Sequence, residues 1–144
     1  MRVRHIANCT AAVVIVTGCA GAPGPGDSGY AYNVDGPYRG RLMVERSPFE
    51  ATLDLRIARG GRVSGSFSVL APLEIEGAVA GTVLDDLLRV TLTYESAGQT
   101  GSGSACEGRI EGILSVSAGG GTVDGPVTIT DCGDSLPGSM SFRR

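Results

Sequence analysis

The sequence of 144 residues has no tryptophan, a single histidine near its start, and no lysine, so that all twelve of its strongly basic side chains are arginine. The absence of lysine or any basic run, with a formal charge of −3, removes the electrostatic footprint that nucleic-acid binding requires. Scarcity of histidine removes the imidazole on which Ser-His-Asp and Cys-His catalysis depend. Aromatic residues make up 5 % of the chain. Beyond the first eighteen residues, no segment shows the 3.6-residue apolar spacing of a helix. What remains is glycine, aliphatic residues and small polar residues.

The N-terminus carries the one distinctive motif. Arg2 and Arg4 form a short basic region, Ile6 to Val16 a mostly apolar run interrupted by Asn8, Cys9 and Thr10, and Thr17-Gly18 a small-residue approach to Cys19. This is the anatomy of a secretory signal, and it is too short for the roughly 20 apolar residues that span a bilayer. The tetrapeptide Val16-Thr17-Gly18-Cys19 resembles the bacterial lipobox, with valine where leucine is usual. That resemblance implies that residues 1–18 are a lipoprotein signal peptide, that Cys19 is acylated and becomes the first residue, and that the acyl chains hold the protein on a membrane. Ala20, in place of the aspartate that usually retains a lipoprotein at the inner membrane, implies outer-membrane sorting in a two-membrane cell. Loss of the signal removes His5, Arg2 and Arg4, which leaves ten arginines against fifteen acids and a formal charge of −5.

Residues 19–37 read as the lipidated cysteine followed by a flexible tether, because AGAPGPGDSGYAYNVDG holds glycine and proline with few aliphatics. Extended, such a tether reaches roughly 50–60 Å. Tyr30 and Tyr32 are its candidate docking residues, expected to remain solvated.

Residues 38–144 read as one β domain. Leu53, Leu55 and Ile57 share one parity while Glu50, Thr52, Asp54 and Arg56 take the other, the period-two pattern of a half-buried strand. The same alternation runs through residues 40–44, 63–69, 75–83, 88–94, 108–116, 123–129 and 138–142, and turn-like clusters short enough for hairpins separate the runs. The expected fold is all-β: an eight-stranded antiparallel up-and-down meander closing into a small barrel, with a β-sandwich as the alternative. Gly40, Gly65, Gly77, Gly81, Gly108, Gly112, Gly125 and Gly138 fall on the apolar parity, as a strongly coiled sheet requires. Pro126 cannot donate to a ladder, so a bulge or an open sheet is expected there.

Cys106 and Cys132 are the remaining cysteines of an exported domain, and export puts them in an oxidising compartment. A hairpin turning at Gly119-Gly120 pairs residues whose numbers sum to 239, which sets Cys106 opposite Gly133, one step from Cys132. A disulfide at the open end of that hairpin follows, with the chain leaving the ladder by Asp131.

The lipobox together with the alternating Gly-x-aliphatic strands is similar to bacterial lipoproteins carrying a calycin-like barrel, the lipocalin and avidin group. That resemblance implies a small apolar ligand at the open mouth. The chain departs from avidin in having no tryptophan, and from the lipocalin Gly-x-Trp in having Gly36-Pro37-Tyr38. Candidate ligand residues on the inward parity are Phe67, Leu92, Tyr94, Ile110 and Met140. No catalytic residue, metal site or cofactor is expected: Glu74 and Glu76, and Glu107 and Glu111, lie on the polar parity, and Asp85-Asp86 lies in a turn. Apolar residues opposite in parity to the charges also argue against a transmembrane barrel. Two readings follow: a membrane-anchored barrel that binds a small hydrophobic ligand, or a structural lipoprotein whose filled barrel meets an envelope protein.

Overall fold

The computed structural model describes residues 21–97 and 105–144. The segment expected to be a signal peptide, and Cys19, lie outside the described residues. Eight strands follow in order: β1 (Gly36–Val44), β2 (Ser47–Ile57), β3 (Arg62–Val69), β4 (Ile75–Leu84), β5 (Leu87–Ala97), β6 (Ala105–Val116), β7 (Thr122–Asp131) and β8 (Asp134–Arg143), with a short 3-10 turn at Ala118–Gly120. Each strand pairs antiparallel with the next, and β1 pairs with β8, so the meander closes into a barrel. Closure removes both sheet edges, which is how short strands avoid edge-to-edge association, and it excludes the sandwich alternative.

Alternation sets the inside. Tyr38, Leu42, Leu53, Leu55, Val63, Phe67, Val79, Leu88, Val90, Leu92, Ile110, Leu114, Val123, Met140 and Phe142 are buried. Arg39, Arg41, Glu50, Asp54, Arg56, Arg62, Arg89, Arg109 and Glu111 face outward and are exposed. An apolar interior with a charged exterior is the reverse of a barrel whose outer band meets lipid. Among the described residues no helix is long and apolar enough to cross a membrane.

Register tilts the barrel. Following cross-strand partners from Gly36 through Leu55, Gly65, Val79, Leu92, Ile110, Ile129 and Leu136 comes back to β1's hairpin at the level of Arg46, ten residues on. A stagger of this size in eight strands goes with strands inclined by roughly 40° to the axis, and an interior just wide enough for side chains to fill.

The β6–β7 pairing obeys the expected register, with Gly108 opposite Asp131 and Val116 opposite Val123. Pro126 produces neither a register-shifting bulge nor an open sheet. The β6–β7 ladder skips the levels of residues 125 and 126 and resumes in the same register, while Pro126 stays paired with Ser139 of β8. One face of the proline, lacking an N–H, is left toward β6, and two flanking ladders hold the strand in place.

Residues 21–35 correct the expectation of a solvated tether. They lie across the end of the barrel formed by the β2–β3, β4–β5 and β6–β7 turns. Val34 is fully buried, and Tyr30 and Tyr32 pack against the core. Gly60 N–H donates to the Pro25 carbonyl (2.9 Å) and Gly119 N–H to that of Ala31 (2.7 Å). The Tyr30 hydroxyl reaches Asp85 O, and Tyr38, in the first strand, donates to Gly120 O at 2.6 Å. Arg144 binds the carbonyls of Asn33, Asp35 and Gly119 and lies 5.4 Å over the Tyr38 ring. The segment is a strap that stops one end. Gly36 and Pro37, placed in the tether by the sequence reading, belong to β1.

Candidate functional site

The opposite end is formed by the turns at Glu45-Arg46, at residues 70–74 and at Cys132-Gly133. Here the described residues leave part of the interior unfilled. Leu42, Val44, Phe49, Phe67, Val69, Leu73, Ile75, Tyr94, Ile110, Ile129, Asp131 and Leu136 surround an apolar cup of about 180 Å³. Cavities of this order, lined by aliphatic and aromatic side chains, hold molecules the size of benzene.

Glycines shape its floor. Phe67, Gly77, Tyr94 and Gly108 are successive cross-strand partners on β3, β4, β5 and β6. The Tyr94 ring lies over Gly108, where a Cβ would overlap its edge carbons, and Phe67 closes on Gly77 in the same way. The two rings meet edge to face across the glycine, centroids 6.1 Å apart. Large and small residues alternate around the wall, so that two aromatics cover four strands.

The lining has two polar members. Burial, with the Asp131 carboxylate second, pushes the Tyr94 phenol up to about 12. Asp131 continues the inward parity of Val127 and Ile129 on β7 and is the one acid in the lining. Its Oδ1 is 3.9 Å from Cys106 Sγ.

Cys106 and Cys132 are at bonding distance, with Cα atoms 5.4 Å apart. Cys132 sits in the left-handed region (φ 49°) and Gly133 follows with φ 97°, so the two form the tight turn between the paired Asp131 and Asp134. The β6–β7 ladder ends at Asp131, where the sequence reading has the chain leave it. The pair ties the β7–β8 turn to the first residues of β6 at the cup's rim. Cys106, Asp131 and Cys132 form the one group of potential metal ligands close enough to share an ion among the described residues, and its two sulfurs are directed at each other.

Of the five residues expected to meet a ligand, Phe67, Tyr94 and Ile110 line the cup. Leu92 and Met140 do not: both are buried in the packed interior below it, 1 % and 3 % exposed. The other lining residues were missed, Asp131, Leu73, Phe49 and Leu136 among them. Asp131 had a readable signal, an acid continuing the inward parity of Val127 and Ile129. Leu73 had none, because it lies in a turn.

Among known proteins, no family matches the chain, and no curated protein or solved structure matches it. Fold and site define a closed, water-facing eight-stranded barrel, strapped at one end and cupped at the other.

Proposed function

We propose that this is an exported lipoprotein, acylated at Cys19 and held on a bacterial membrane, whose barrel binds the apolar part of a small molecule at its open end without catalysing a reaction on it. The observation that carries the binding reading is the 180 Å³ apolar cup at an end that, among the described residues, no segment crosses, when the rest of the interior is filled by the chain's own side chains. Closely packed interiors rarely leave such a volume.

The strap supports a particular presentation. Pro25 is bonded to Gly60 at the closed end, so at most a few residues separate the barrel from Cys19. On this reading the closed end sits against the bilayer and the cup faces away from it.

Titration of the full chain with 1-hexanol tests the binding reading. Leu73→Trp, at the rim and 42 % exposed in the parent, should block binding and leave the fold intact. Hexanol binding that is undiminished by this substitution, or absent in the parent, refutes the reading. Anchoring is tested separately: Cys19→Ala should abolish palmitate labelling and membrane fractionation, and a variant that still labels refutes the lipobox reading.

The structural alternative draws on one observation, the outward cluster of Leu84, Leu87 and Ile113 at 68 %, 47 % and 48 % exposure near the strapped end. On that reading this face meets an envelope protein, and the cup is incidental.

A further inference from the structure

Outward positions beside the β4–β5 turn are apolar where most of the wall is charged or small. Leu84 and Leu87 are cross-strand partners flanking that turn, and Ile113 lies one diagonal step away on β6, opposite Arg89. All three point out from strands whose inward neighbours Val83, Leu88 and Leu114 are buried, and with Asp85, Asp86 and Arg89 they border one shallow hollow. Single exposed leucines need no explanation, but a cluster of them marks a surface that meets something.

The strap shows what lies near this surface. Gly60 N–H donates to the Pro25 carbonyl, Val83 N–H donates to the carbonyl of Gly61, and a Cβ on Gly61 would meet the Pro25 ring at 3.0 Å. Pro25 therefore stands beside the strand that delivers Leu84. The Tyr30 hydroxyl is bonded to the Asp85 carbonyl in the same turn. Cys19 precedes Pro25 by six residues, a length that spans at most about 20 Å when extended. An acylated Cys19 keeps the bilayer within that distance of Pro25, at the end of the barrel where the leucines are exposed.

Charge favours the same orientation. Arg62, Thr82, Arg89 and Ile113 form one outward row across β3, β4, β5 and β6, and neither arginine is in an ion pair among the described residues. A guanidinium on an aliphatic stem reaches lipid phosphate while neighbouring leucines enter the interface. Asp85 and Asp86 offset these two charges, so burial of the apolar side chains supplies the attraction. The cup end is the opposite case. Glu45, Glu50, Glu74, Glu76, Glu95 and Glu107 crowd it against Arg41, Arg46 and Arg109, and the anionic surface of a membrane repels it.

We propose that the outer wall beside the β4–β5 turn docks on the lipid bilayer, with Leu84, Leu87 and Ile113 entering its interface and Arg62 and Arg89 meeting lipid phosphates. The barrel is then held in one orientation and does not swing from its anchor. This rests on Cys19 being the membrane anchor, and it adds which surface of the domain the membrane meets.

The sequence has no tryptophan, so a single introduced one reports only its own surroundings. Leu87→Trp and, at the cup rim, Leu73→Trp are made in the full chain, expressed in a bacterium that acylates lipoproteins, and reconstituted into phosphatidylcholine–phosphatidylglycerol vesicles with or without bromine on the acyl chains. Flotation with the vesicles reads the anchor, and quenching by bromine reads the face. Leu87→Trp should emit about threefold less over brominated lipid, as befits a side chain at the boundary of headgroups and acyl chains, and Leu73→Trp should be unaffected. Adding Leu84→Ser and Ile113→Ser, both exposed positions, should relieve the quenching and leave flotation and the β circular dichroism unchanged; Leu84→Trp serves as the reporter if Leu87→Trp does not fold. Floating protein in which neither tryptophan is quenched, or both equally, overturns the docking, leaves the anchor standing and frees this face for an envelope protein. Failure of the parent chain to float overturns the anchor and the docking together. Quenching that survives both serine substitutions also overturns the docking, since the introduced tryptophan alone would then be seeking the membrane. Emission already shifted to the blue without lipid, and indifferent to bromine, overturns it as well, because a second copy of the chain would then cover the face.

Discussion

Leu92→Ala separates the packed interior from the open cup. Leu92 is 1 % exposed at the centre of β5, with Val79 and Ile110 as its inward cross-strand partners. Both neighbouring strands are pinned in ladders on either side, so the backbone has little freedom to collapse into the space left. The cost should therefore lie in the upper part of the leucine-to-alanine range, roughly 3–5 kcal/mol, combining lost transfer energy with a persistent cavity. For a domain of this size that lowers the melting temperature by about 10–20 °C. Leu73→Ala, a rim residue already bordering open space, should cost less than about 1 kcal/mol. Urea unfolding followed by circular dichroism checks both, with unchanged m-values confirming that the midpoints report stability. A loss below about 1 kcal/mol for Leu92→Ala would mean that the interior beneath the cup is not filled, and the division between core and cup would fail.

Three further outcomes follow from the same geometry. Reducing Cys106–Cys132, which closes a separation of 26 residues, should destabilise the barrel by about 3–4 kcal/mol by loop-closure entropy, with the β signature kept; a fall in β circular dichroism at low urea would contradict this. Tyr94 holds its proton to about 12 in the folded chain, whereas an unfolded tyrosine loses it near 10, so stability is full below pH 10 and falls as pH rises from 10 to 12. That separation corresponds to about 2.7 kcal/mol, reduced to about 1–2 by water reaching the phenol from the cup. Tyr94→Phe should lessen the alkaline fall, as read from urea midpoints on either side of the window; Tyr30 and Tyr38, also raised by burial, are common to both proteins. Arg144→Ala removes hydrogen bonds to three carbonyls and should cost about 1 kcal/mol, with faster proteolysis confined to residues 21–35.

Strand count, order and the β6–β7 register were legible because a period of two assigns every residue to a face, and one glycine turn sets the sum of paired numbers. Height along the barrel was not. Leu92 and Met140 share the inward parity of Phe67 and Ile110, yet the ten-residue stagger places them below the cup. No local pattern encodes that stagger; it emerges when β1 meets β8. The strap was overlooked for a different reason. Glycine and proline dominate its composition, but Tyr30, Tyr32 and Val34 alternate as a strand's inward face does, and that continues to Tyr38. Composition and periodicity disagreed there, and burial followed periodicity.

The central claim is that the open end, and not the strapped end, receives a small apolar group. Methyl-resolved NMR of the full chain titrated with 1-hexanol tests it most directly, because the two ends carry different methyl groups. The account predicts saturable shifts at Val69, Ile75, Ile110 and Ile129, with Leu88, Leu114 and Val123 unmoved. Shifts centred on Leu88, Leu114 and Val123, or no saturable shift at either end, would contradict it.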